Sequence, residues 1–596
     1  MKRIFFLLIA IVFTVNALAQ NVERDSFTLS REMLLEREYS PVINDAAKSG
    51  FLPELREPSA PRAEIDFSNY AAAYDFAPYP SQRQPDVLFK DMRVSNRRGY
   101  LNGRLGTSFD AGVDAGYRIF DGKKDYLDVY LSQIYGNGRR TFLQDKDLSQ
   151  VFKYMDIKSG LNFVHNFDKA RLYADAKYTF SEYNLSNLRK EAQQISPNYK
   201  NTFYSAKSGR DLSPENDLFE ACIGLSSTND PKIGYDVNIR YYFFGQKREL
   251  QHLIPQINEN RVRLGWDLHN NISVSSRVGL AGYYSNVSYY KSNEFTEANY
   301  DLKGLKVCIL NPYYRIERNN FDLTIGGKLD IRSNTNTAYV SQAIRYKWRF
   351  HKMAHFYASL EGGREDNSKY SIFHENRYVN SENSSIYDSY SPLDATAGVT
   401  FLPVTELSVN LFGGYKITWD EHYFIPYFEQ FYSLPETRYF RTLISYNDEY
   451  TFKVGGEVKY LLTDRIEIDV KASYYKRKLR FDNSYITLIP AQKPDMDVYA
   501  NIRYRVQKLH LNLAYRGLLG RETNEILVTI PDVHGTFEAM KKMNDIHNVS
   551  IKAVYPFYDN LSAYITVDNL LFQRYELWYG YPMQPFSVIA GINFLF

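Results

Sequence analysis

The side chains that could perform catalysis or bind a metal are scattered through this sequence. Four histidines stand apart from any group of cysteines and carboxylates with metal-ligand spacing: His252, His351, His355 and His374. Carboxylates at Glu467, Asp469 and Asp568 could pair as acid and base. However, they lie on the polar side of alternating segments, where structural ion pairs are the expected role. We therefore expect no catalytic residue, metal site, cofactor or enzymatic activity.

A second kind of chemistry, recognition by aromatic rings, is concentrated in one polar-flanked stretch. The aromatic residues between positions 423 and 432 are candidate contacts for a ligand or a partner protein: Tyr423, Phe424, Tyr427, Phe428, Phe431 and Tyr432. Aromatic rings offer stacking platforms for sugars and flat patches for proteins. The alternative is that these rings pack against neighbouring loops and cap the molecule.

The segments that carry these residues alternate apolar and polar side chains. Each is about ten residues long, the length that a tilted strand needs to cross an outer membrane. Helical periodicity is absent from residue 99 onward. Representative apolar faces are Tyr235, Val237, Ile239 and Tyr241; Ile466, Ile468, Val470, Ala472 and Tyr474; Val498, Ala500, Ile502 and Tyr504; and Leu561, Ala563, Ile565 and Val567.

The last strand has the most pronounced apolar face and ends the sequence on an aromatic residue. Alternate residues place one set of side chains on one side: Phe586, Val588, Ala590, Ile592, Phe594 and Phe596. This pattern is typical of the strand that closes a barrel in a membrane, and the alternative is a terminal strand of a soluble β-sandwich. We expect this strand to be the contact for the outer-membrane barrel assembly machinery.

The connections between segments alternate in length. Tight turns such as Phe167-Asp168-Lys169 and Thr463-Asp464 alternate with long loops such as Leu185 to Glu215 and Asp420 to Ser445. Transmembrane barrels have short periplasmic turns and long extracellular loops. Counting the segments predicts an all-β fold, a transmembrane antiparallel β-barrel of about 22 strands. A string of soluble sandwiches would also alternate, but not with this two-sided difference in loop length.

The composition agrees with a barrel. The 596 residues include 52 Tyr and 38 Phe but only 2 Cys. Aromatic girdles at both membrane interfaces explain such a bias, and a polar lumen explains the mean hydropathy of −0.44. The net charge of +3, with both signs interspersed, gives no electrostatic case for nucleic acid.

The N-terminal part differs in kind from the rest. Lys2 and Arg3 precede an apolar run from Ile4 to Val15, and small residues follow, which predicts a cleaved signal peptide over residues 1–19. Residues 20–98 are rich in proline and cannot bury a core of their own, so we expect a periplasmic leader or a lumen-filling segment. Residues 99–596 form the predicted barrel, located in a Gram-negative type of outer membrane and contacting its lipid.

The segment from Asp568 to Pro582, with its Trp578-Tyr579-Gly580-Tyr581-Pro582 loop, resembles the last hairpin of TonB-dependent receptor-like outer-membrane barrels. That resemblance implies import of a bulky ligand, an N-terminal plug and contact with TonB. Residues 20–98 are shorter than such a plug, so the chain resembles a plug-less relative. Transport of a solute is the expected function. The alternatives are a passive channel or a scaffold that binds surface lipoproteins or other envelope proteins.

The aromatic residues of this last loop have an expected location too. Tyr575, Trp578, Tyr579 and Tyr581 are predicted to anchor the barrel at the membrane interface, and ligand contact is their second interpretation.

Overall fold

The computed structural model describes most of the chain from residue 97 onward. The described ranges are 97–122, 124–144, 146–186, 214–228, 232–247, 257–291, 304–333, 338–379, 388–431, 434–480, 489–530 and 537–596. The predicted signal peptide and the proline-rich segment up to residue 96 lie outside these ranges. They therefore stay predictions.

The described residues form strands almost throughout. One helix, α1, covers Lys369–Glu375, a 3-10 turn covers Thr107–Phe109, and no helix in the described ranges is long and apolar enough to cross a membrane. The strands, numbered in chain order, are β1 (Gly99–Gly106), β2 (Ala111–Asp121), β3 (Asp125–Thr141), β4 (Ser149–Asn166), β5 (Ala170–Tyr183), β6 (Glu215–Ser227), β7 (Ile233–Lys247), β8 (Ile257–Ser273), β9 (Ser276–Lys291), β10 (Leu305–Glu317), β11 (Phe321–Arg332), β12 (Ala338–His351), β13 (Ala354–Glu365), β14 (Ser389–Val404), β15 (Leu407–Phe431), β16 (Leu434–Thr463), β17 (Ile466–Leu479), β18 (Met496–Val506), β19 (Leu509–Leu519), β20 (Glu522–Ile530), β21 (Phe537–Lys542), β22 (Ile546–Tyr558), β23 (Leu561–Asp568), β24 (Glu576–Trp578), β25 (Tyr581–Pro582) and β26 (Ser587–Leu595).

Twenty-two of these strands form a closed antiparallel ring. Strands β1 to β19 pair in chain order, β19 then pairs with β22, β22 with β23, and β23 with β26. Strand β26 pairs with β1, where Leu101 lies opposite Phe594 and Gly103 opposite Ile592. The last strand thus closes the cylinder, which leaves no open edge in the wall. The predicted fold class and the predicted count of about 22 strands are confirmed.

The outer face of the wall is apolar and the inner face is polar. On β7, Val237, Ile239 and Tyr241 point outward, and 51% of the surface of Ile239 is exposed. The alternating side chains Asp236, Asn238 and Arg240 belong to the other face. Because an apolar belt of this extent is not covered by protein, hydrocarbon is its natural solvent.

Tight turns lie at one end of the barrel, as predicted, whereas the connections at the other end include short ones, at 107–110 and 333–337, as well as long ones. Asn270-Asn271, which the sequence pattern also predicts to be a tight turn, lies within β8, because β8 continues to Ser273 and the turn follows at Val274–Ser275. A tight turn at Thr405–Glu406 joins β14 to β15 and was missed. Several wall strands are longer than ten residues; β4, for example, has 18. We call the end with the tight turns and Phe596 the turn end, and the opposite end the loop end.

Inside the wall, tyrosine rings cover glycines on the neighbouring strand. In each pair the two residues are direct cross-strand partners: Tyr100 and Gly116, Tyr154 and Gly136, Tyr130 and Gly160, Tyr173 and Gly224, Tyr313 and Gly279, Tyr357 and Gly398, Tyr564 and Gly591. The glycine leaves room for the ring, and several hydroxyl groups then reach a polar side chain further along the wall. Tyr173, for example, donates to Asp236 at 2.7 Å. These pairs fasten strands laterally.

Replacing Gly224 with alanine is expected to destabilise the barrel by about 1–3 kcal/mol, the usual cost of overpacking. A Cβ atom at this position would collide with the Tyr173 ring and force it away from Asp236. The temperature at which the folded band is lost in a heat-modifiability gel measures the effect. The matched control is Gly103→Ala, because a Cβ there has no atom within 4 Å. Equal midpoints for the two variants would contradict the packing argument.

Candidate functional site

Three long connections at the loop end turn inward and close the mouth of the barrel. The first is the lumen loop, residues 366–388 between β13 and β14, described over 366–379 and at Asp388. The second is the arm, formed by residues 421–431 of β15 and 434–447 of β16. The third is the strap, residues 569–586 between β23 and β26. Together they form the candidate functional site.

The lumen loop crosses the interior to the opposite wall. Its helix α1 begins at a cap, since the Ser368 side chain accepts a hydrogen bond from the Ser371 amide. The Lys369 amide donates to Glu259 of β8 at 2.8 Å, and the Tyr370 hydroxyl donates to Glu220 of β6 at 2.7 Å. Because β13 and β4 are nine strands apart in a ring of 22, contacts of this loop with β4, β6 and β8 place it across the lumen.

The far end of this loop is held by a buried ion pair. Arg377 places Nη2 3.0 Å from Oδ1 of Asp156 on β4, and both side chains are almost fully buried. The Tyr183 hydroxyl donates to the backbone oxygen of Arg377 at 2.6 Å. The guanidinium group also lies 4.7 Å from the centre of the Tyr183 ring. These contacts fix the loop to β4 and β5.

The base of the lumen loop is held by a second charged group. Asp366 accepts hydrogen bonds from Arg261 of β8, one of them at 3.0 Å, and Arg364 donates to Asp388 at 2.7 Å. Burial alone would raise the pKa of Asp366, but the guanidinium groups of Arg261 and Arg364 and the hydrogen bond from Arg261 lower it to about 2. The base therefore stays ionised and paired at any physiological pH.

The arm differs from what the sequence predicts. Asp420 to Ser445 was expected to be a loop, but β15 and β16 remain paired with each other through this region. Their pairing with the wall ends at Trp419 on one side and at Glu449 on the other, next to a bulge where Asp420 has φ 54°. The arm thus leaves the wall. Beyond the bulge β15 pairs in parallel with β20, which pairs with β21, so β16, β15, β20 and β21 form a mixed four-stranded sheet that is not part of the barrel wall.

The predicted aromatic contacts lie on this arm. Tyr423 and Phe424 are each only 3% exposed: the Tyr423 hydroxyl donates to Glu449, and the Phe424 ring packs edge-on against Trp578 with centroids 5.0 Å apart. Tyr427 is half-buried. The side chains of Phe428 and Phe431, and the whole of Tyr432, lie outside the described part. Ligand or partner contact by these six residues stays a prediction, and a ligand would have to reach the first two from within the closed mouth.

The strap carries the aromatic residues that were expected at the membrane interface, and that prediction is wrong. Tyr575, Trp578, Tyr579 and Tyr581 are all buried. The strap bends over the mouth instead of outward to lipid, and its β24–β25 hairpin packs inward, with Tyr581 stacked on Tyr378 of the lumen loop at 3.8 Å between centroids. Buried apolar side chains of the three connections and of the loop ends of neighbouring wall strands form one cluster, the cap: Phe142, Phe152, Ile372, Val379, Phe424, Leu518, Ile546, Tyr575, Leu577, Trp578 and Tyr581.

One polar residue that sequence reasoning missed joins several parts of the cap. Gln492, in the connection before β18, has φ 65° and is buried. Its side chain donates to the Phe424 carbonyl at 2.6 Å and accepts from the Tyr579 amide at 2.8 Å. Its own amide donates to the carbonyl of Glu522 at 2.6 Å. Gln492 therefore ties the arm, the strap and β20 together.

A histidine–carboxylate contact joins the arm to the lumen loop. His422 Nε2 forms a hydrogen bond with Glu375 of α1, and Glu421 and Lys493 are the other charged groups facing the ring. Burial and the positive charge of Lys493 lower the pKa of His422. The charge and hydrogen bond of Glu375, together with the charge of Glu421, outweigh them, so the pKa of His422 is raised. The contact is therefore strongest when His422 is protonated.

Raising the pH is expected to loosen this contact. Because the folded-state pKa of His422 is raised, its stabilisation is complete below the unfolded pKa and is lost as the pH rises through the folded value. The contribution should be about 1.5–3 kcal/mol, the range for a hydrogen bond to a charged group. Amide hydrogen exchange of α1 between acidic and alkaline pH, corrected for its intrinsic pH dependence, measures it. His422→Gln should remove the pH dependence, and an unchanged pH profile in that variant would refute the assignment.

The described residues contain no group of three or more histidine, cysteine, aspartate or glutamate side chains that could hold a metal ion. His351 ends β12, His355 lies on β13, and His374 packs against Tyr370 in α1. His252 is outside the described ranges. Cys222 and Cys308 are free thiols on different strands. The site thus offers ion pairs, hydrogen bonds and aromatic rings for recognition.

Comparison with protein-family models and with curated proteins finds no match to this sequence. Solved structures do match. The FrpB iron transporter from Neisseria meningitidis aligns with TM-score 0.61 and 10% identity over 84% of this chain and 82% of that one. The siderophore receptor PirA from Acinetobacter baumannii aligns with TM-score 0.60 and 9% identity over 85% and 81%. The ferripyoverdine receptor of the outer membrane of Pseudomonas aeruginosa gives 0.57 and 11% over 84% and 72%.

At sequence identities of 9–11%, these matches show a shared backbone fold, and they cover nearly the whole described wall. The resemblance to TonB-dependent receptor-like barrels that residues 568–582 predict is confirmed for the fold, and the similarity in fold extends far beyond that segment. The chain therefore has the closed 22-strand barrel fold of outer-membrane receptors and transporters.

Proposed function

We propose that this protein imports a solute across the outer membrane through its lumen, which its own loops close at rest. The observation that carries the proposal is the combination of a 22-strand wall with a lumen loop, arm and strap that meet in one buried cap. A wide wall is unnecessary for a purely structural protein, and a closed mouth is unsuited to a passive pore. The structural neighbours named as iron transporter and siderophore receptors support a nutrient receptor of this kind.

Energised import is a finer part of the proposal. The resemblance of residues 568–582 to TonB-dependent receptors and the shared fold support contact with TonB. Ion pairs such as Arg377–Asp156 and the Gln492 hydrogen bonds mean that opening requires work, which favours a source of energy in the periplasm. Loss of TonB should then abolish uptake to the same extent as deletion of this gene.

The proposal can be tested by locking the cap. Val379 of the lumen loop and Thr442 of the arm are parallel bridge partners, so cysteines at both positions are close enough for a disulfide. The background should replace Cys222 and Cys308 with serine. In a deletion strain screened for growth on scarce nutrients, the oxidised V379C/T442C variant should fail to restore uptake and the reduced form should restore it. The proposal falls if deletion causes no uptake defect, or if the locked form imports normally.

A scaffold that binds surface lipoproteins or other envelope proteins is the second candidate, and the mixed sheet of β16, β15, β20 and β21 favours it. This sheet is not part of the barrel wall, and Met540 on β21 is 63% exposed. A photo-crosslinking residue at Met540 should capture one defined envelope protein in intact cells, whereas one at the lipid-facing Leu268 should not. Absence of any protein adduct at Met540 would remove this candidate.

A further inference from the structure

Three basic residues form a row on the outer face of β17, at its loop end. The even-numbered side chains of this strand point outward, and Tyr474 among them is 46% exposed. The next outward positions are Lys476, Lys478 and Arg480, and all three side chains are exposed. Lys476 lies opposite Phe452 of β16, which is 48% exposed on the same outer face. The row therefore faces away from the lumen.

The height of this row in the membrane follows from the strand below it. From Ile466 to Tyr474 every outward side chain of β17 is apolar. This stretch advances about 26 Å along the strand, which at the usual tilt is about 20 Å across the membrane. The lipid-facing band of such barrels is about 25 Å tall and is bordered by aromatic residues. Tyr474 occupies that border, so Lys476 and Lys478 lie at the level of the lipid headgroups.

The positive charges of the two lysines are not compensated by the described part of the chain. No carboxylate there lies within ion-pair distance of Lys476 or Lys478. Arg480 has one carboxylate near it, since its Nη1 atom lies 3.9 Å from Oδ2 of Asp448, and its side chain is still 58% exposed. Each of the other described wall strands has at most one lysine or arginine on its outer face. The row is therefore a local feature of β17.

We propose that this row binds the phosphate groups of an anionic lipid in the outer leaflet, whose acyl chains lie on the aromatic residues below it. Lysine and arginine donate charge-assisted hydrogen bonds to phosphate oxygens. Successive outward positions are about 7 Å apart along the strand, so neighbouring basic residues can reach different oxygens of one headgroup. Phe452 and its cross-strand partner Tyr415, which is 41% exposed, provide the apolar surface for the chains. A soluble anion would use the charges alone, whereas a lipid uses both parts of this surface.

Native mass spectrometry of the full chain, purified in detergent, provides a direct test. The probes are bisphosphorylated lipid A, the same lipid after removal of its phosphates, and pyrophosphate as a soluble anion. Lipid A should give a saturable adduct, and its affinity should exceed that of the dephosphorylated lipid by about tenfold or more. Pyrophosphate should bind more weakly than lipid A, because it lacks the acyl chains.

Variants separate binding at the row from general charge effects. Lys476→Gln together with Lys478→Gln should weaken lipid A binding by about tenfold or more and leave binding of the dephosphorylated lipid unchanged. The matched control is Lys352→Gln with Lys508→Gln, which removes the same charge from exposed tight turns at the turn end. A heat-modifiability gel shows which variants are folded, and Arg480→Gln serves as the test if the double lysine variant is not.

Three results would overturn the lipid site. The first is equal affinity for lipid A and its dephosphorylated form in the folded parent. The second is an equal loss of lipid A binding in the row variant and in the turn-end control. The third is binding of pyrophosphate as tight as that of lipid A, which would assign the row to a soluble anion. Import is tested separately by uptake, so failure of the lipid site leaves the proposed function standing.

Discussion

Removal of the lumen loop is expected to convert a closed barrel into a wide pore. Replacing residues 367–387 with a short glycine–serine linker keeps the ends at Asp366 and Asp388 but takes away α1 and its contacts with β4, β6 and β8. A ring of 22 strands encloses a lumen that needs internal filling, so single-channel conductance in planar bilayers should rise by about an order of magnitude or more. The parent should show small or no conductance steps.

The control for this experiment is the proline-rich segment. The same replacement should be made in the full chain and in a chain without residues 20–96, which make up all but the last two residues of the predicted leader or lumen-filling segment 20–98. If the lumen loop is the main barrier, conductance rises in both backgrounds. A large conductance that appears only on loss of residues 20–96, and is unaffected by the loop replacement, would show that the barrier lies in the N-terminal segment.

The wall could be predicted from the sequence because its pattern is local. Every strand has lipid on one side and a polar lumen on the other, so the period of two is imposed residue by residue, as in Val237, Ile239 and Tyr241. The closing strand follows the same rule up to Phe596. Counting such segments needs no knowledge of distant contacts, which explains why a count of about 22 agrees with the ring that is observed.

The cap could not be predicted in this way. Phe142, Ile372, Phe424, Leu518 and Trp578 come from five distant parts of the chain, and none has a periodic neighbourhood that would reveal a common core. The arm was interpreted as a loop because its partner strand β20 is about a hundred residues away in sequence. The strap aromatics were assigned to the membrane interface because tyrosine and tryptophan suit both environments, and only the direction of the strap decides between them.

The polar contacts of the site were even harder to predict, because their partners come together only when the barrel closes. Asp156 and Arg377 are separated by 221 positions, and each is unremarkable in its local sequence. The same holds for Gln492. The sequence does contain one usable signal: an arginine or lysine on a polar strand face near the loop end requires a partner once the mouth is closed. Identifying that partner requires the ring order of the strands.

Breaking the Arg377–Asp156 pair is expected to release the lumen loop almost as effectively as removing it. Both side chains are nearly fully buried, and burial lowers the pKa of Arg377 to about 9. Arg377→Met leaves Asp156 buried without its partner. Asp156→Asn likewise leaves the guanidinium group of Arg377 buried without a carboxylate. Each change should weaken docking of the loop by about 3–5 kcal/mol, the cost of removing one member of a buried pair. Amide hydrogen exchange of α1 and the open probability in bilayers measure this.

The double variant decides whether the pair itself is responsible. With both charges absent, no buried ion is left unpaired. In the double variant Arg377→Met with Asp156→Asn, the lumen loop should therefore be docked more firmly than the sum of the two single effects predicts. Arg171→Met, an exposed arginine at the turn end of β5, is the matched loss of one charge and should leave α1 exchange unchanged. Strictly additive single effects would mean that the loop is held by its apolar contacts with the cap. The ion pair between β4 and the lumen loop would then be a consequence of closure instead of its cause.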